Sequence, residues 1–248
     1  MKTIYFYSGL YQDCFAYNLL AGSASMTFPE KPEDCFFLDI GCYDPLFRNN
    51  TFLFEELGWN GLCFDIMDCE RAFSFSNVRT TPFIQIDTTS IDFTKLLTER
   101  DLATRGVEFV SLDVDEASLL TLDRLLEANV RFKCMCFEHD YLRIGDSLRR
   151  PSRERLHSKG YEMLFPDISF SHQATGLRFA GNFFEDWWID PSFFPDDIMS
   201  IKEEGLKYYD AVDRLKKFMG NEYVPNYHFS NSKGAKKSDF EYKGQNKK

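Results

Sequence analysis

Five apolar runs follow one another along the chain, and each ends in a carboxylate. The runs cover residues 35–39, 61–65, 83–87, 107–113 and 132–138, so their terminal acids are Asp39, Asp65, Asp87, Asp113 and Glu138. Consecutive acids are 22 to 26 residues apart, which suits a strand, a helix and two loops. Because the runs are nearly continuously apolar, we predict parallel strands buried on both faces and joined by right-handed helical crossovers.

The segments between and after these runs complete the predicted fold. Residues 51–57, 117–126, 147–158 and 198–219 favour helices. Residues 161–168 and 177–184 favour two strands, and their short separation predicts an antiparallel hairpin. The predicted fold class is therefore α/β. We expect a Rossmann-like, mostly parallel seven-stranded sheet with a C-terminal antiparallel hairpin and helices on both faces.

We predict that one domain, residues 35–230, accounts for most of the chain. An N-terminal extension, residues 1–34, would pack on it, and the Lys-rich residues 231–248 would be a disordered tail. Gln12 and Asp13 interrupt the first apolar stretch, so no secretory signal peptide is expected. No run approaches the length of a membrane span. The seven cysteines contain no CxxC pair, which favours reduced thiols, a cytoplasmic protein and no structural zinc site.

Charge and aromatic content restrict the classes of partner. The formal net charge is -10, which disfavours a nucleic acid as partner because phosphate backbones attract basic surfaces. Aromatic residues make up 17% of the chain. Some of these rings would line a ligand cavity or an interface, although a Phe-rich core would explain them equally well.

The terminal acids also indicate where a ligand would bind. The carboxyl ends of parallel strands lie at one edge of a sheet, and ligands bind there near the switch point of strand order. Gly41 follows the first strand and would let the backbone approach a ligand closely. Asp65 ends the second strand, where an acid accepts hydrogen bonds from ribose hydroxyls. The loop from Asp39 to Pro45 would equally suit an ordinary strand-to-helix turn, and the absence of GxGxxG disfavours a dinucleotide.

A longer stretch, DIGCYDPLFRNNTFLFEELGWNGLCFDI (residues 39–66), resembles the FkbM-type family of methyltransferases. The family pattern has a DxGAxxG or DxGAxxP loop, an SNT-like triplet, a GWxG turn and an acid at the end of the second strand. Residues 107–115, 153–161 and 184–188 are similar to later family segments, so the resemblance covers residues 35–190. Cys42 replaces the usual Ala, Asn49 replaces Ser, and residues 115–117 lack a Gly.

The resemblance implies a class I methyltransferase that uses S-adenosylmethionine. Its acceptor would be a hydroxyl oxygen of a sugar, another glycan or a small metabolite. The cofactor-binding residues expected on this basis are Asp39, Gly41, Cys42, Tyr43, Asp44, Asn50, Thr51, Asp65, Ile66, Asp87 and Asp113. Two rival functions remain open: methyl transfer to nitrogen or to a nucleic-acid ribose, and a degenerate module that only binds a partner.

A hydroxyl acceptor needs a group that takes its proton. The candidates are Asp113 and Asp115 after the fourth strand and His139 after the fifth, because an imidazole titrates near neutrality. His139 would equally suit a structural role in which a backbone group satisfies it. A divalent cation held by Asp113, Asp115 and Glu138 is a further hypothesis, which we do not favour.

Overall fold

The structure is a computed structural model that describes residues 2–21, 31–67, 69–170 and 183–227. Its strands form a seven-stranded sheet and a separate two-stranded sheet. The strands are β1 (Lys2–Phe6), β2 (Phe36–Ile40), β3 (Asn60–Asp65), β4 (Phe83–Gln85), β5 (Val107–Leu112), β6 (Phe132–Glu138), β7 (Glu162–Ser169), β8 (Phe183–Ile189) and β9 (Tyr223–Tyr227).

The larger sheet has the strand order β4-β3-β2-β5-β6-β8-β7. Strands β2 to β6 are parallel to one another, whereas β8 is antiparallel to both β6 and β7. The order reverses between β2 and β5, as at the switch point of a doubly wound sheet. The predicted α/β class, the mostly parallel seven-stranded sheet and the five apolar strands are therefore confirmed.

Helices cover the sheet. They are α1 (Gln12–Leu20), α2 (Phe52–Glu56), α3 (Cys69–Val78), α4 (Phe93–Thr98), α5 (Leu102–Arg105), α6 (Ser118–Glu127), α7 (Tyr141–Ile144), α8 (Asp146–Ser158) and α9 (Tyr208–Met219). Side chains alternate across each strand. Phe37 on β2 therefore joins one hydrophobic cluster with α1, α2 and α9, and its neighbour Leu38 joins another with α4, α6 and α8. The sheet is buried on both faces for this reason.

Two predicted elements near the C-terminus were wrong in extent. The predicted helix over residues 198–219 is a 3₁₀ turn, Ile198–Ile201, followed by a loop and then α9. Gly205 (φ +75) breaks the helix, because its N–H donates to the Pro166 carbonyl, and the Ser169 N–H donates to the Leu206 carbonyl. This loop therefore provides hydrogen-bond partners for backbone groups of the edge strand β7.

The second predicted hairpin strand, residues 177–184, ends too early, because β8 continues to Ile189. Two buried acids, Glu185 and Asp186, lie in the middle of β8, so its sequence does not look like a strand. Residues 171–182 lie outside the described residues, and most of the predicted hairpin connection lies among them. The predicted tail, residues 231–248, also lies outside the described residues.

The first strand and the last described strand pair with each other. Strand β1 runs parallel to β9, from Lys2 opposite Tyr223 to Phe6 opposite Tyr227. Every residue of α1 is buried, and α1 packs against α9. Among the described residues, no helix is long and apolar enough to cross a membrane.

Candidate functional site

A cleft with a volume of about 580 Å³ opens at the carboxyl edge of the parallel strands. Known ligand sites fall within ~300–1,000 Å³. The ends of strands β2 to β6 and the loops that follow them line the cleft. On the side of β2, β3 and β4 the lining residues are Gly41, Tyr43, Asp65, Ile66 and Asp87. On the side of β5 and β6 they are Asp113, Asp115, Glu138, Asp140 and Arg143. The cleft therefore lies at the switch point between β2 and β5.

Gly41 is required because two chain segments approach each other closely. Its φ is +92°, and its N–H donates to the Phe64 carbonyl at 2.8 Å. A Cβ atom here would lie 1.6 Å from the carbonyl oxygen of Asp113. We predicted that this glycine would admit a ligand. The close approach found here is to the backbone that follows β5, and it fixes the two loops on either side of the switch point.

Gly41→Ala is expected to lower the free energy of unfolding by at least about 3 kcal/mol, because the methyl group collides with backbone and the positive φ adds strain. Denaturant unfolding measures this change. Gly160→Ala is the control, because Gly160 also has a positive φ (+82°) but its Cβ would meet nothing within 4 Å. Equal losses in the two variants would contradict the close-approach explanation.

Asp65, at the end of β3, anchors the Gly41 loop. Its carboxylate accepts hydrogen bonds from the N–H of Tyr43 at 2.8 Å and the N–H of Met67 at 3.1 Å. Two large apolar side chains flank it in solvent, Tyr43 at 52% exposure and Ile66 at 73%. Asp87 lies further along the same wall and accepts from the N–H and hydroxyl of Thr89. This wall therefore combines hydrogen-bond acceptors with exposed apolar surface.

The other predicted cofactor residues lie behind or beside the cleft. Asp39, Cys42 and Thr51 are buried, and the Thr51 hydroxyl donates to Asp39 at 2.7 Å. Asp44 accepts from the N–H groups of two following residues, and Asn50 donates to the Ser111 hydroxyl at 2.9 Å. The structure therefore does not bring these five side chains to the cleft wall, although they support the loop that forms it.

Asp113 and Glu138 form a half-buried carboxyl pair at the floor of the cleft. Burial raises the pKa of Asp113 to about 6, although a hydrogen bond with Glu138 acts in the opposite direction. Burial and the nearby Asp113 charge raise the pKa of Glu138 well above its usual range. Two adjacent carboxylates repel when both are ionised. We infer that Glu138 holds a proton and donates it to an ionised Asp113.

A third carboxyl group lies beside this pair. Glu185 on β8 is directly opposite Glu138 on β6, and it accepts from the Gln12 amide at 3.3 Å and from the Trp187 indole N–H. Burial raises the pKa of Glu185 well above its usual range. Glu185 was missed from the sequence, because its partner Gln12 is 173 residues away.

Arg143 joins two of the loops at the cleft mouth. Its guanidinium contacts Asp115 at 2.7 Å, Glu116 at 3.4 Å and Asp140 at 2.8 Å. Among the described residues that line the cleft, it is the one basic side chain. The cleft therefore keeps an excess of negative charge. Arg143 and Asp140 were missed from the sequence, although their position directly after an acid-terminated strand was a usable signal.

His139 does not lie on the cleft wall. It is fully buried, its Nδ1 accepts from the Tyr141 N–H at 3.3 Å, and its Nε2 lies 3.6 Å from Asp167 and 3.5 Å from Asp186. Arg149 and Arg153 donate to the same two carboxylates. His139 therefore lies beside the buried ion pairs that join α8 to β7 and β8, at a distance from any acceptor in the cleft.

Two clusters of acidic residues could be considered as sites for a divalent cation, the buried Asp167 and Asp186 beside His139 and the predicted set of Asp113, Asp115 and Glu138. Neither is arranged to hold one. Among the described residues, only His139, Asp167 and Asp186 bring three ligand atoms within 4.8 Å of one another. Two guanidinium groups already neutralise those two aspartates, so an added dication would be repelled. In the predicted set of Asp113, Asp115 and Glu138, the Asp115 carboxylate already pairs with the Arg143 guanidinium.

No family model matches the sequence, and none of the curated proteins compared with it matches either.

Proposed function

We propose that this protein is an S-adenosylmethionine-dependent methyltransferase that moves a methyl group to a hydroxyl oxygen of a sugar or small metabolite. One observation carries the proposal: the cleft at the switch point combines the Gly41 loop, the Asp65 carboxylate and a surplus of acids. The resemblance of residues 39–66 to the FkbM-type family supports the same conclusion.

The cleft suits each part of this cofactor. The Asp65 carboxylate accepts one N–H on each oxygen, and a carboxylate has about four acceptor positions, so it can also bind ribose hydroxyls. The exposed side chains of Ile66 and Tyr43 offer apolar contacts to the adenine ring. The acidic lining attracts a cationic sulfonium. The volume of about 580 Å³ is sufficient for a nucleoside and a small acceptor.

When bound, the cofactor supplies an electrophilic methyl group. The acceptor hydroxyl must lose its proton as it attacks, and an ionised Asp113 at the cleft floor can take that proton. Glu138 holds Asp113 by a hydrogen bond and keeps the pair at a single negative charge. We therefore assign proton removal to the Asp113–Glu138 pair. Asp115 is paired with Arg143, and His139 is directed away from the cleft.

Calorimetric titration with S-adenosylmethionine, followed by product mass spectrometry on candidate hydroxylated sugars, tests the proposal. Saturable one-to-one binding and a product heavier by one methylene unit are expected. Binding without a product would favour a binding module. A methylated amine, with sugars unchanged, would favour the nitrogen acceptor. The absence of any binding would refute the proposal.

Asp65→Ala is expected to weaken S-adenosylmethionine binding by about 1–2 kcal/mol, because hydrogen bonds from the ribose to a charged acceptor are lost. The same titration measures this change. Asp92→Ala is the matched control, since Asp92 also accepts from a backbone N–H, that of Lys95, but outside this cleft. An unchanged Kd in folded Asp65→Ala would remove Asp65 from the site.

A further inference from the structure

Arg79 is a buried cation directly behind the cofactor loop proposed above, and no motif of the sequence indicated it. It follows α3, and its side chain is fully buried. The guanidinium donates to the Asn49 Oδ1 at 2.9 Å, the Pro45 carbonyl at 3.3 Å and the Thr51 hydroxyl at 3.3 Å. It also pairs with Glu55 on α2. All these acceptors lie between residues 45 and 55, which directly follow the Gly41 loop.

Asn49 transmits this contact to the loop. Its amide nitrogen donates to the Asp44 carbonyl at 2.9 Å, the Cys42 carbonyl at 3.2 Å and the Asp39 carboxylate at 3.2 Å. Because a guanidinium can only donate, Arg79 and two backbone N–H groups at the start of α2 together hold the Asn49 Oδ1 on their side and turn the amide nitrogen towards the loop. The Asn49 side chain thereby contacts three points along residues 39–44.

Charge also couples Arg79 to the loop. Burial raises the pKa of Asp39 to about 6, while Arg79 acts to lower it. Burial would likewise raise the pKa of Glu55, but Arg79 and the N–H of Thr80 hold it below its usual range. A buried guanidinium is stable only when carboxylates and hydrogen-bond acceptors surround it. Arg79 meets this condition through residues that shape the cofactor loop.

Aromatic rings fix the plane of the guanidinium. The Cζ atom of Arg79 lies 5.2 Å from the centroid of the Phe52 ring, 5.4 Å from that of Phe75 and 5.9 Å from that of Phe37. Arg donates through a rigid planar fork, whereas Lys offers a single point charge on a flexible stem. Lys at this position would keep the charge and lose the simultaneous contacts to Asn49, Thr51 and Glu55.

We propose that Arg79 is a positioning residue for cofactor binding, which sets the conformation of residues 41–45 through Asn49 and Asp39. The inference rests on the proposed function for its ligand, S-adenosylmethionine. Its structural part, the ordering of the loop, does not depend on any ligand. Arg79 does not itself line the cleft.

The test compares Arg79→Lys and Arg79→Met with the wild type by calorimetric titration with S-adenosylmethionine and by hydrogen exchange of residues 41–48 without ligand. Both variants are expected to exchange faster in this loop and to bind about 10- to 100-fold more weakly, because small misplacements of a binding loop are costly. Arg79→Lys guards against loss of folding. This variant should remain folded, exchange faster in the loop and bind S-adenosylmethionine more weakly than the wild type.

Arg131→Lys is the matched control. Arg131 also makes a forked contact, to Asp190, but at the opposite edge of the sheet before β6. It should leave the affinity and the loop exchange unchanged. Wild-type affinity in a folded Arg79→Lys variant, together with unchanged exchange, overturns the inference and leaves the proposed function intact. If the wild type does not bind, the proposed function fails. Hydrogen exchange then tests the inference alone. If residues 41–48 of Arg79→Lys exchange as slowly as those of the wild type, the inference is overturned.

Discussion

Asp113→Asn is expected to lower kcat by about 10²–10⁴-fold while changing the affinity for S-adenosylmethionine much less. The amide cannot take the proton of the acceptor hydroxyl, and general-base assistance is worth this factor. Asparagine keeps the size of the side chain and a carbonyl acceptor for the Glu138 hydrogen bond. Single-turnover rates and calorimetric Kd values, measured on the same preparation, separate the two effects.

The pH dependence of the reaction rate provides a second test of the role of Asp113. The base must be ionised to act, and burial raises the pKa of Asp113 to about 6. The wild-type rate should therefore rise as pH increases through about 6, and the step should be absent from Asp113→Asn. Asp123→Asn is the control, because Asp123 pairs with Arg155 outside the cleft. A near-normal rate in Asp113→Asn, with the same pH profile, would assign proton removal elsewhere.

Arg153→Met is expected to lower the free energy of unfolding by about 3–5 kcal/mol, because it leaves a buried carboxylate without its main partner. Arg153 donates to both oxygens of Asp186, at 2.8 and 2.7 Å, and to Asp167 at 2.7 Å. Burial alone would raise the pKa of Asp186, but the hydrogen bonds from Arg153, with the His139 ring nearby, outweigh it and hold the pKa at about 2. Denaturant unfolding at neutral pH measures the loss.

Acid unfolding provides a second measurement of the same effect. Because the pKa of Asp186 is depressed in the folded state, its stabilising contribution is present above the unfolded value of about 3.9 and is lost as pH falls towards 2. In Arg153→Met, the acid-unfolding midpoint should move to higher pH. Arg150→Met, on the exposed face of the same helix, should change the free energy of unfolding by no more than about 0.5 kcal/mol and leave the acid-unfolding midpoint in place. Similar losses in both variants would contradict the assignment.

Strands β2 to β6 and the location of the cleft were predictable because their signals are local. Continuous apolar runs identify buried parallel strands, and the acids that end them must meet at one edge. Gly41, Asp65 and Asp113 were recognised on this basis and do lie together.

The remaining features depend on contacts between distant residues. Asp186 is tolerated inside β8 because Arg153, 33 residues earlier, neutralises it. Arg79 lies 30 residues from Asn49, and nothing in its local sequence indicates a buried cation. His139 follows an acid-terminated strand like any cleft residue, but Asp167 and Asp186 provide a buried position for its ring. A single sequence contains no information about these pairings.

The pairing of β1 with β9 has a consequence for how the chain folds during synthesis. Lys2–Phe6 is synthesised some two hundred residues before its strand partner, Tyr223–Tyr227. Helix α1 must wait equally long for α9, and its buried surface includes Phe15 and Leu19. Strands β2 to β6 need no such delay, since each can pair with neighbours already made or soon to follow. The N-terminal segment is therefore among the last parts to dock, and until then its apolar side chains are available to chaperones.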